Sequence, residues 1–222
     1  MTKPSHAISP VQLLTQKLVR IPSITPRDTA DLPHIQACLD LLEAEAQSHG
    51  ARTWRLPARG HHPSRTELNY QVDNLYVEWG PEGAPHQLCF MGHVDVVPPG
   101  QGNWSADPYS GHTEDGLMYG RGTTDMKGAV AAFFSAMGQV KPNNHRVGAI
   151  ITGDEEYAAL AGTKHVMQWM LDQGISYPAF LVGEPSSRTT LGTGIKVGRR
   201  GSLCGFCMLR GNKDMQPTQM IM

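Results

Sequence analysis

Three apolar runs in this chain end in the same way, on a glycine followed by a residue that can bind a cation or exchange a proton. Residues 87–91 lead into Gly92-His93, Arg146–Thr152 into Gly153-Asp154-Glu155-Glu156, and residues 179–182 into Gly183-Glu184. Each run has the length and composition of a buried strand. Helix-like stretches separate them, and strands alternating with helices close into an α/β sheet, mostly parallel, with flanking helices. Such sheets bind ligands beyond the carboxyl ends of their strands. The glycine-led endings therefore place His93, Glu155, Glu156 and Glu184 on one side of the sheet.

The remaining pattern fits around that frame. Ser9-Pro10 reads as an N-cap and first helical residue, with Val11, Leu14, Leu18 and Val19 forming the inner stripe of a helix. Proline-bounded residues 22–28 read as a loop. A second helix is expected over residues 32–48, with Ile35, Cys38, Leu41, Leu42 and Ala46 facing inward. Residues 52–56 and 74–79 read as strands, and the Pro- and Gly-containing stretch 57–70 as a loop. Further helices are expected over 129–139 and 162–173. Beyond residue 192 the texture changes: 195–209 is strand-like, and 210–222 is polar without a clear period.

Charge and cysteine content exclude several function classes. The 222 residues hold 19 Lys plus Arg against 20 Asp plus Glu, a balance that gives a polyanion such as nucleic acid no basic surface. The N-terminus has no apolar signal core, and no run reaches the roughly 18 residues of a membrane span. A cytoplasmic location is expected. Cys38 and Cys89 lie in apolar runs and read as small core residues. Cys204-x-x-Cys207 could open a zinc ribbon or a redox motif, but it lies in a strand-like apolar segment with no second pair, which argues against a structural metal there.

The chemistry lies between residues 91 and 128. His93 and Asp95 are two apart on an extended segment and project to the same side, which suits a metal ligand and the carboxylate that orients it. Asp125 follows in the glycine-punctuated turn Gly120-Arg-Gly-Thr-Thr-Asp-Met-Lys-Gly128, just before an apolar helix. Converging carboxylates repel and raise one another's pKa values, and two divalent cations would offset that. Adjacent Glu155 and Glu156 point apart, so one can bind metal while the other acts as a general base towards water. Zinc fits a mixed His/carboxylate set, and cobalt or manganese fits by ligand type as well.

Taken together, MGHVDVVPPG, the DPYSG…DGLMYGRGTTDMKG run, TGDEE and GEPSS resemble the di-zinc metallopeptidase family of aminoacylases, carboxypeptidases and N-acyl-amino-acid deacylases. The resemblance covers roughly residues 10–209. It implies that His93 binds one zinc, that Asp125 bridges two, that Glu184 shares the His93 metal and that Glu156 binds the other. Glu155 would be the general base and Asp95 would orient His93. The Asp125-Met126 peptide bond would be cis. PSITPRD and GIKVGRRGSL narrow the likeness to the branch that hydrolyses N-succinyl-LL-2,6-diaminopimelate in bacterial lysine biosynthesis, with Arg199 and Ser202 holding substrate. Acetylornithine deacetylases, dipeptidases and a non-catalytic metal-binding remnant are the alternatives. The family organisation further implies a catalytic domain over 1–188 and the start of a homodimerisation (lid) domain over 189–222. A second His ligand has no counterpart here, so the expectation is an incomplete, weakly active or inactive form.

Overall fold

The computed structural model describes residues 8–25, 32–62, 65–187, 189–190 and 192–198, the side chains of 62–69 excepted. The chain divides into two compact units, 1–185 and 186–222.

The first unit opens with helix α1 (Pro10–Val19), started by a capping box in which Ser9 and Gln12 satisfy each other's backbone amides. Helix α2 (Leu32–Ser48) buries Ile35, Cys38, Leu39, Leu42 and Ala46. Strands β1 (Arg52–His62) and β2 (Arg65–Trp79) form a long antiparallel hairpin. Strand β3 (His86–His93), the small hairpin β4 (His112–Glu114) and β5 (Leu117–Tyr119), a π-turn over Thr123–Lys127 and helix α3 (Gly128–Val140) follow. Strand β6 (Arg146–Thr152), helix α4 (Thr163–Asp172) and strand β7 (Phe180–Val182) complete the unit.

The described residues form a five-stranded sheet in the order β1-β2-β6-β3-β7. The β6-β3-β7 half is parallel, and the β1-β2 hairpin joins it antiparallel through β2 and β6. On one face α1, α2 and α3 cover a core of Leu18, Leu39, Leu42, Leu75, Val130, Phe134 and Ile151. On the other, Val166 and Met170 of α4 pack on Tyr76, Cys89, Ile150 and Tyr177. Cys38 and Cys89 are free, buried thiols, as their apolar surroundings predict.

Within 57–70, which composition predicts as loop, residues 57–62 instead extend β1 and residues 65–70 extend β2. Pro57 lies in an edge strand, where a missing amide leaves no ladder bond unmade. Gly60 lies so close under the Tyr70 ring that a Cβ would come within 2.6 Å of it.

The sheet end opposite the glycine-led termini is closed by a buried ionic network. Glu78, 3% exposed, accepts from Arg52 at 2.6 Å and contacts the His86 ring at 2.9 Å. Burial alone would raise its carboxyl; Arg52, His86 and Arg146 together hold it below the usual carboxylate range. In the second unit Ser186 Oγ donates to the Gly194 carbonyl, and Ile195 and Val197 are exposed.

Candidate metal centre

The parallel half of the sheet brings three strand ends together, and the predicted site residues sit on them. His93 is the last residue of β3, Glu155 and Glu156 lie just past β6, and Glu184 lies just past β7. Asp125 arrives from the π-turn before α3. The packing of Met126 explains the glycines at these ends. This side chain is 1% exposed, and its methyl lies where a Cβ on Gly92 or Gly183 would clash, at 2.8 and 2.5 Å. A larger residue before His93 or Glu184 would force the Met126 side chain and the Phe90 ring to move. The Asp125-Met126 peptide bond is cis.

His93 is buried, and its Nδ1 lies 2.9 Å from the main-chain carbonyl of Asp95, with the Asp95 carboxylate 3.6 Å away. That contact sets the ring so that Nε2 faces the acids: Asp125 Oδ1 at 3.1 Å, Glu184 Oε1 at 3.6 Å and Glu155 Oε2 at 3.9 Å. Two groups of donor atoms result, each within 4.8 Å: His93 with Glu155 and Glu184, and His93 with Asp125 and Glu156. His93 is the imidazole in both. Burial alone would lower it, but hydrogen bonds to Asp125 and Asp95 and the Asp95 charge push it up to about 11. Glu156 rises to about 7, from burial first and then from Asp125. Glu155 is raised by burial against the pull of His93, with Glu184, Asp95 and Asp125 adding repulsion.

A set of acids that hold protons this tightly around one imidazole, with donor atoms this close, fits a multivalent cation, which would replace those protons. His93 would hold it through Nε2, because Nδ1 is already engaged.

Asp95 does more than sequence reasoning assigns to it. Its fully buried carboxylate accepts from the amides of Glu155 (3.1 and 3.0 Å) and Glu156 (3.0 Å), and from Thr25 Oγ1 (3.0 Å). One side chain thus ties the end of β3, the segment after α1 and the acidic loop after β6. Two further residues escaped notice in the sequence. Lys127, 0% exposed, donates from Nζ to the carbonyls of Leu18 (2.9 Å) and Ile21 (2.8 Å), fastening the Asp125 turn to the end of α1. Burial lowers its ammonium below the usual range. Asp154 accepts from Tyr70 Oη and the Ala161 amide, closing the loop that carries Glu155 and Glu156. The available signal was position: Lys127 adjoins the Asp125 turn, and Asp154 is the first acid after Gly153. Arg199 and Ser202 lie outside the described residues, as do Cys204 and Cys207.

A profile of Peptidase family M20/M25/M40 matches residues 89–218, more than half of the sequence and all of the donor residues just described. This chain belongs to that family. Among curated M20 relatives, succinyl-diaminopimelate desuccinylase of Rhodospirillum centenum is 43% identical over 195 residues, covering 86% of this chain and 47% of the relative. The same-named protein of Rhodopseudomonas palustris (strain BisB5) is 39% identical over 220 residues, covering 95% and 51%. The chain thus spans about half the length of these relatives. In shape it is similar to human carnosine dipeptidase 1, with TM-score 0.65, 23% identity and coverage of 79% and 38%. An M20 family metallo-carboxypeptidase from Sulfolobus solfataricus gives TM-score 0.63 at 18% identity, covering 80% and 38%. Those likenesses establish the M20 α/β fold.

Proposed function

We propose that this chain carries the catalytic centre of a metal-dependent amide hydrolase acting on N-succinyl-LL-2,6-diaminopimelate, releasing succinate and LL-2,6-diaminopimelate. The observation that carries the reading is the pair of donor groups sharing His93 at three strand ends. The desuccinylase names of the relatives support the substrate. Two zinc ions are the proposed occupants, cobalt an effective substitute, and His93, Asp125, Glu156 and Glu184 would hold them. When bound, zinc supplies Lewis acidity towards the acyl carbonyl and towards water.

The chain's own residues then have separable tasks. Glu155 takes the proton of the attacking water as the carbon–oxygen bond forms, and returns it to the nitrogen as the carbon–nitrogen bond breaks. Asp95 keeps Glu155 and Glu156 in place through their amides. Arg199 and Ser202 hold substrate. Residues 1–188 form the catalytic part and 189–222 begin a dimerisation domain of a cytoplasmic homodimer. The resemblance implies a second imidazole where the described groups contain one, so turnover by this chain alone is expected to be weak.

Hydrolysis of succinyl-diaminopimelate by the purified, zinc-supplemented chain tests the proposal, with Glu155→Gln as its control. Zinc-dependent turnover that the variant loses while still binding zinc is the expected result. Turnover unchanged in Glu155→Gln, or a wild-type chain that binds no zinc, overturns it.

A further inference from the structure

Beside the acidic cluster opens a cleft of about 320 Å³, lined by Val97, Gly120, Arg121, Thr123, Asp125 and Glu156 among others. Among the described lining residues Arg121 is the one cation, and its guanidinium is held in place. Nη2 donates to the carbonyls of Pro98 (3.2 Å) and Pro99 (3.4 Å), and Cζ stands 5.3 Å from the centre of the Trp104 ring. Trp104 is itself fixed by a 3.1 Å bond from Nε1 to the Pro99 carbonyl.

What this arrangement leaves undone is as informative. Arg121 Nε is buried and has no hydrogen-bond partner, and among the described residues no carboxylate lies within ion-pair distance of the guanidinium. The hydroxyl of Tyr109 is a second buried polar atom without a partner. Burial raises that hydroxyl's pKa and the charge of Arg121 opposes the rise, so the two groups share one neighbourhood. A buried donor left unmade is costly, and with Nη2 engaged by the two carbonyls the guanidinium keeps its charge and the N–H groups of Nη1 and Nε for a carboxylate. If Arg121 served only to hold the loop at residues 98–99, Nη2 alone would suffice.

We propose that Arg121 binds a carboxylate of the substrate in this cleft, selecting ligands that carry the charge over neutral counterparts. This rests on the amide-hydrolase reading of the neighbouring centre and adds to it the element that reads substrate charge. The carboxylate could belong to the acyl group or to the amino acid, and the two are separable with fragments of the substrate.

Calorimetric titration of the zinc-loaded chain with succinate, with its neutral isostere succinamide and with LL-2,6-diaminopimelate tests this. Wild type is expected to bind at least one carboxylate ligand about tenfold or more tighter than succinamide, as a charge-assisted contact requires. Succinate as that ligand assigns the acyl carboxylate, and diaminopimelate assigns an amino-acid carboxylate. Arg121→Met should erase the preference and Arg121→Lys should keep part of it, with zinc affinity unchanged in both and the urea midpoint lowered only by the lost bonds to Pro98 and Pro99. A preference that persists in Arg121→Met overturns the proposal. So does a wild type that fails to distinguish carboxylate from amide, or a variant whose losses follow zinc affinity or folding. None of these readouts needs turnover, so they stand apart from the Glu155→Gln test of the hydrolase reading.

Discussion

Glu156 shows what the acidic cluster demands of the metal-free chain. Burial, and after it the charge of Asp125, moves its carboxyl from the ordinary 4.5 to about 7. A folded-state value above the unfolded one gives a contribution that is complete below pH 4.5 and is lost as pH rises to about 7. His93, raised from 6.5 to about 11, acts in the same direction across a higher window. Glu78 opposes both: its lowered pKa supplies stability that fades only as the solution is acidified below its ordinary 4.5. The metal-free chain should therefore melt at a lower temperature at pH 7.5 than at pH 5.5. Zinc should reverse that order, because the cation replaces the protons, and Glu156→Gln should flatten the metal-free profile. Melting curves with and without zinc check all three. At this scale His93, Glu155, Glu156 and Glu184 were legible as candidate donors because they lie at or just past glycine-marked strand ends, and Asp125 because it lies in a glycine-punctuated turn before a helix. Asp95 was legible as a neighbour of His93, but its bonds to Thr25 and the 155–156 amides depend on residues about 60 to 70 positions away. Lys127 and Arg121 were silent for the same reason, since their partners lie in segments that local pattern does not connect.

Among elements, the β1-β2 hairpin departs most from its sequence, and it supports the loop that carries Glu155 and Glu156. Proline and glycine within 57–70 signal a loop by composition, yet β1 and β2 stay paired in antiparallel register from Arg52–Glu78 to His61–Asn69. Tyr70 converts that extension into support, its hydroxyl reaching Asp154 at 2.7 Å. Asp154, 1% exposed, has a pKa raised by burial and restrained by its Ala161 and Tyr70 bonds. Tyr70→Phe removes one donor from a buried carboxylate and should cost about 1–3 kcal/mol, read as a lower urea midpoint. Zinc affinity should fall with it, because the same loop carries Glu155 and Glu156. Unchanged affinity would separate the hairpin from the site. The helices, in contrast, were readable to within one or two residues. Their stripes and the Ser9 cap are local features, which is also why β6 appears with its predicted bounds.

For the molecule as a whole, β7 is the vulnerable margin. It is three residues long and lies at one edge of the described sheet, with Phe180, Leu181 and Val182 respectively 42%, 49% and 54% exposed. An apolar edge strand is a template for pairing between chains. Leu181→Lys should lower self-association in sedimentation velocity without altering zinc uptake, since the side chain lies on the strand and not at its metal-facing end.

The convergence of β3, β6 and β7 on one cluster makes a bound ion act as a buckle. Glu184 reaches His93 across 91 positions of sequence (184 − 93) through a strand held to β3 by only three residue pairs. Chelation should therefore unfasten the margin before the middle. Amide hydrogen exchange should quicken first at residues 180–184, while β2 and β6 stay protected, and the protein should pass through a form whose sheet is intact but whose last strand has come loose.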